Sequence, residues 1–102
     1  MPAKKKDTTP APDPLSAAVG RRIAWCRTRR LELSPQELAQ RVGVSPAYLW
    51  RVEDGRQNLT LRSVGRFAKA LDLTLSELLD GIETGSVELE NRPYAKGSET
   101  VA

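Results

Sequence analysis

Histidine is absent from the chain and cysteine occurs once, at Cys26. Without histidine there is no imidazole base and no His/Cys zinc site, and a single thiol forms no internal disulfide. Cys26 reads instead as a small apolar residue on the inner face of a first helix, in a protein expected to be cytoplasmic. No apolar run approaches the roughly 20 residues that span a bilayer. The first fourteen residues, MPAKKKDTTPAPDP, lack the apolar core of a secretory signal. No nucleophile–base pair, metal-ligand cluster or phosphate-cradling glycine loop is present, so an enzyme is the weakest function class and no cofactor or metal is expected.

The excess of positive over negative charge is also small, 16 Lys/Arg against 13 Asp/Glu. The net charge is +3, with three lysines against two aspartates in residues 1–14, eleven Lys/Arg against seven Asp/Glu in 15–81, and two against four in 82–102. A segment 15–81 at +4 is compatible with DNA without demanding it. Residues 1–14, with four prolines and the triplet Lys4-Lys5-Lys6, read as a disordered arm that either reaches a DNA backbone or only solubilises the terminus. Residues 82–102 lose helical periodicity and read as a flexible tail, within which Ser86 to Glu90 alternate as a short strand would.

The informative stretch is Ser34 to Gly55, SPQELAQRVGVSPAYLWRVEDG. Ser34, Pro35 and Glu37 make a capping box, and Ser45 with Pro46 repeats the start signal after the turn Val42-Gly43-Val44. Gly43 suits the left-handed backbone of a tight helix–helix turn. Leu38, Ala39 and Val42 line one side of the first helix, and Leu49 and Val52 one side of the second. Helices this short need a supporting layer. Leu15 to about Arg30 supplies one, with Leu15, Ala18, Val19, Ile23 and Cys26 inward. A fourth helix capped by Thr60 runs to about Leu71, with Leu61, Val64, Phe67, Ala68 and Leu71 inward. A fifth opens at Thr74 or Ser76, carries Leu75, Leu78 and Leu79, and stops near Gly81.

The run Leu38, Ala39, Gly43, Val44, Ser45, Leu49, Val52, Glu53 and Gly55, followed by Asn58, Ala68, Leu71 and Leu78-Leu79, resembles the lambda-repressor and Cro type of helix-turn-helix domain, the XRE family. The resemblance spans about Gly20 to Gly81. It implies an all-α, compact five-helix fold over residues 15–81, with double-stranded DNA as partner and a homodimer as the working form. It also implies that Arg27 pairs with Glu53 at the end of the second turn-motif helix. The interval from Arg27 to Ser34 is one residue longer than the family's usual spacing. Either the turn Leu31-Glu32-Leu33 holds the extra residue, the reading favoured here, or the pair is lost.

In such a domain the second helix of the motif lies in the major groove and flanking elements hold phosphates. Removing the inward Leu49 and Val52 leaves Pro46, Ala47, Tyr48, Trp50, Arg51 and Asp54 facing outward. Arg51 is the best base reader, since a guanidinium can donate twice to guanine, and Ala47 suits a thymine methyl. Tyr48 and Trp50 complete the expected base-contacting set. Phosphates are expected at Gln36, Arg41, Arg56, Asn58 and Arg62, around the starts of the second and fourth helices. Pro35 and Pro46 depart from the resemblance, standing where many members carry polar residues. The leading function is a sequence-specific transcriptional regulator, a repressor or autoregulator. Arg56-Gln57-Asn58-Leu59-Thr60-Leu61 resembles restriction–modification controllers, but a phage-type repressor and a DNA-binding antitoxin remain open. A protein-interaction module docking through Tyr48 and Trp50 is the competitor from another class. The dimer surface is expected at Leu75, Leu78 and Leu79.

Overall fold

A computed structural model describes residues 10–89. Among them are five α-helices and no strand: α1 Pro14–Trp25, α2 Pro35–Val42, α3 Pro46–Glu53, α4 Leu61–Ala70 and α5 Leu75–Leu79. Each begins at a polar side chain that accepts from a backbone N–H left unpaired by the helix. Asp13 accepts from Ser16, Ser45 from Tyr48 and Thr60 from Ser63, at 2.9 to 3.0 Å. Ser34 with Glu37, and Thr74 with Glu77, form reciprocal capping boxes. Thr74, not Ser76, therefore opens α5, and α1 starts one residue before Leu15 because Asp13 is available as its cap.

Beyond Trp25 the first helix widens into a single π-helical turn, Cys26–Arg30, in which Leu31 N–H donates to the Cys26 carbonyl at 3.0 Å. This absorbs the surplus residue. It sits inside the helix and not in the turn Leu31-Glu32-Leu33 where it was expected, and the Arg27–Glu53 pair is kept. A π turn inserts one residue without breaking the helix, so the residues on either side hold their faces.

The core gathers Ile23, Leu38, Leu49, Val52, Phe67, Leu71 and Leu78, all essentially without solvent contact, with Val19, Cys26, Ala39, Val42, Val64 and Ala68 around them. Helices α1 and α3 approach so closely at Gly20 that any side chain there would overlap the main-chain oxygens of Val52 and Glu53. Between α2 and α3, Gly43 takes φ 87°, the left-handed conformation that the tight turn requires.

Two expectations about apolar faces need correction, at Leu61 and at Leu78. Leu61, expected inward, is 73 % exposed, and Leu75, expected at a dimer surface, is 38 % exposed. Both stand at the first position of their helices, and helical side chains lean toward the N-terminus, past the edge of the packed face. Leu78 is fully buried within its own protomer, so it is unavailable to a dimer surface. The alternating run from Ser86 forms no strand over residues 86–89, while Glu90 and Lys4 to Lys6 lie outside the described residues.

Candidate nucleic-acid interface

Helix α3 presents a clean division between its two sides. Leu49 and Val52 are buried, while Pro46, Ala47, Trp50 and Asp54 are exposed. Tyr48 and Arg51 are intermediate. Tyr48 does not stand free as expected; its ring packs on the core edge beside Val44 and Phe67, because position 48 falls on the boundary between the two sides. The Arg51 guanidinium lies over that ring, 5.6 Å from its centre, and its Nε donates to Oε1 of Gln57 at 3.3 Å. Trp50 is 57 % exposed, with the Arg56 guanidinium 5.9 Å from its ring centre. Asp54 faces outward and holds Arg56 in an ion pair.

The orientation of α3 is fixed from behind. Arg27 donates through Nε and Nη2 to both carboxylate oxygens of Glu53, at 2.7 and 2.9 Å. That two-point bond raises the Arg27 pKa; burial opposes the rise, and the attraction of the Glu53 charge adds to it. The α3–α4 loop is held by the segment before α1. Asp13 N–H donates to the Gly55 carbonyl at 2.9 Å, and Arg56 Nη1 donates to the Pro10 carbonyl at 3.2 Å. Pro10 and Ala11 thus line a shallow cleft with Arg56, Gln57 and Asn58.

Most of the helical arginines serve the fold. Arg66 donates to the Val42 carbonyl at the end of α2, Arg30 to Leu71 and Arg41 to Ala70 at the end of α4, and Arg22 to Leu78 and Asp80 at the end of α5. Each supplies a donor and positive charge where a helix leaves carbonyls unpaired and its dipole is negative. Arg41, expected on phosphate, is exposed and places one of its donors, Nη1, on the Ala70 carbonyl at 3.1 Å. Arg62, at the second position of α4, is exposed and makes no side-chain hydrogen bond among the described residues. Gln36 and Asn58 are likewise exposed.

The two helix starts differ in charge. The first turn of α2 carries Glu37, whose carboxylate already accepts from Ser34 N–H at 2.7 Å. The first turn of α4 has no acid and bears Arg62. An anion is favoured at the second start over the first. Sequence reasoning missed Gln57 as the partner of Arg51. The signal was its place in a short loop just past α3, but loop conformation decides whether such a side chain folds back. Among the described residues no helix is long and apolar enough to cross a membrane, and no three His, Cys, Asp or Glu residues gather as a metal site.

Known proteins resemble this chain in sequence and fold. The control protein C.MunI of Mycoplasma sp is 28 % identical over 64 residues, covering 63 % of this chain and 86 % of that protein. The restriction–modification controller C.AhdI from Aeromonas hydrophila superposes with a TM-score of 0.58 at 33 % identity, covering 62 % of this chain and 94 % of the other. SinR, the master regulator for biofilm formation, solved in complex with DNA, gives a TM-score of 0.54 at 32 % identity over 61 % and 98 % of the two chains. Residues 18–80 match the family model of the helix-turn-helix domain, well over half of the chain, and the protein belongs to that family.

Proposed function

We propose that the protein is a sequence-specific, double-stranded-DNA-binding transcriptional regulator, a repressor or autoregulator that works as a homodimer and lays α3 in the major groove. The observation that carries this is α3 itself. One side is buried against the core and clamped by Arg27, while the other offers Ala47, Trp50 and Arg51 to a partner. Similarity to C.AhdI, a restriction–modification controller, and to SinR, solved with DNA, supports the same class.

In this reading Arg51 donates to a guanine edge, Ala47 meets a thymine methyl, and Trp50 packs on sugar or a base methyl at the groove wall. Tyr48 contributes through the face on which Arg51 rests. Arg62 with the α4 start, Asn58, Arg56 and Gln36 hold phosphates and set the register. A recognition helix of eight residues reads only a few base pairs, and two-fold pairing doubles the site at a spacing of about one helical turn. The same family membership supports a regulatory role over a catalytic one.

Selection from random double-stranded DNA tests the proposal, together with affinity measured at rising salt. An enriched, two-fold-related motif and a steep fall of log affinity with log salt are expected. A flat salt response with no enriched motif would sink it.

A further inference from the structure

We propose that Gln57 is a positioning residue that holds the Arg51 guanidinium end-on to the groove and so makes guanine the selected base at one operator position. This deepens the base-reading role given to Arg51 and rests on it. Arg51 is restrained at two points, one on its own helix turn and one in the loop beyond α3. Gln57 Oε1 accepts from Nε, and the ring of Tyr48, itself fixed on the core edge, lies beneath the guanidinium carbon. The plane of the group is thereby set before DNA arrives.

Which donors remain free follows from that pairing. A guanidinium can meet guanine O6 and N7 either side-on, through Nε and one Nη, or end-on, through both Nη groups. Gln57 occupies Nε, which leaves the end-on pair. Adenine presents an acceptor and a donor on the same edge and cannot accept both bonds. A free arginine searches many rotamers and can slip to a neighbouring phosphate, where it carries no sequence information. Restraint by Gln57 converts a mobile cation into a selective one.

The nature of the partner matters too. The Gln57 amide accepts a bond without neutralising the arginine, so the full positive charge still faces the DNA. The two carboxylates nearest along the chain are engaged elsewhere, Glu53 by Arg27 and Asp54 by Arg56. The Asp54–Arg56 pair keeps a competing anion off Arg51, and Gln57 stays its acceptor.

The test uses the full chain and double-stranded DNA libraries in which each operator position is varied in turn. Gln57→Ala is expected to lower the preference for guanine at one position roughly tenfold, the size of a lost bidentate selection. Preferences elsewhere, affinity for random DNA and the salt slope should match wild type. Gln57→Glu keeps an acceptor for Nε, so guanine preference should be retained while affinity for all DNA falls through the added charge. Adding Gln57→Ala to Arg51→Ala should produce no further loss at that position. If Arg51→Ala abolishes the guanine preference but Gln57→Ala leaves it intact, this inference fails and the base-reading role stands. If neither variant alters any preference, the role of Arg51 itself is wrong. A uniform loss of affinity in Gln57→Ala with a smaller salt slope would make Gln57 a phosphate ligand and overturn the proposal.

Discussion

Arg27 and Glu53 meet as two matched forks, with both side chains mostly withdrawn from solvent at 13 % and 15 % exposure. The third donor of Arg27, Nη1, reaches the Leu33 carbonyl at 3.1 Å. One guanidinium therefore joins the end of α1, the turn into α2 and the end of α3. Glu53→Gln, which keeps the shape but removes the charge, is expected to lose about 2–3 kcal/mol of stability. Arg27→Lys should lose a similar amount, since an ammonium cannot reproduce a planar fork. Denaturant midpoints at unchanged slope would measure it. Because the Arg27 pKa is raised on folding, its contribution is complete below the unfolded value and is lost only as pH climbs through the folded one, deep in alkali. No pH dependence of stability near neutrality is expected from this group.

The local devices of the fold were legible in the sequence, and the long-range ones were not. Ser34, Ser45, Thr60 and Thr74 each cap a helix because the bonds involved span three residues, and a side chain that close finds its partner whatever the rest of the chain does. Gly43 follows from the same local logic. The π turn at Cys26–Arg30 could not be placed that way. The Arg27–Ser34 interval, set against the spacing of the family the sequence resembles, showed one surplus residue, but its location depends on burying Cys26 and reaching Glu53 at once. The helix-capping arginines were similarly hidden, since Arg22 and Leu78 are 56 residues apart. Arg41, expected on phosphate, also reaches the Ala70 carbonyl 29 residues away, a bond that no local pattern signals. For α3, a period of 3.6 separated inner from outer residues correctly at Leu49, Trp50 and Val52, but a boundary residue such as Tyr48 is decided by its neighbours on α4.

The start of the folded unit can be tested at Asp13. Its side chain caps α1 and its backbone N–H pairs with the Gly55 carbonyl, so it supports both a helix and the loop beside α3. A chain beginning at Leu15 is expected to lose about 1 kcal/mol or more relative to one beginning at Pro10. Asp13→Asn should be tolerated far better, since an amide oxygen also caps. Equal melting temperatures for the two truncations would remove Asp13 from the fold.

Leu78 and Leu75 separate core from surface on α5. Leu78→Ala should destabilise the monomer by about 2–5 kcal/mol, as a fully enclosed leucine leaves a cavity. Leu75→Ala, at a partly exposed site, is expected to cost little. Sedimentation of both variants checks whether either changes the dimer. Loss of the dimer with full monomer stability in Leu78→Ala would contradict its burial.

Arg62→Ala should act on affinity without touching preference. An exposed arginine at the start of α4 offers charge to a phosphate and carries no base information. Binding to every DNA sequence is expected to weaken about equally, and the salt slope to shrink by about one ion. A change of preference at a single base position in Arg62→Ala would place it in the groove instead.

Trp50 distinguishes a DNA surface from a protein-docking one. Its ring is more than half exposed and carries the Arg56 guanidinium above it, which Asp54 and the Pro10 carbonyl also hold. Removing the ring deletes an exposed surface and loosens the Arg56 cation that is proposed to meet phosphate. Trp50→Ala is therefore expected to weaken operator binding about three- to tenfold, roughly 1 kcal/mol, through the lost packing and cation–π support. Stability should change by less than about 0.5 kcal/mol, as for other substitutions on an exposed face. Trp50→Phe should recover part of the binding, since a smaller aromatic still offers a face to Arg56. Measured by titration of labelled operator, unchanged DNA affinity in Trp50→Ala, coupled to loss of a protein partner, would assign this side of α3 to docking and leave Arg51 without its neighbour in the groove.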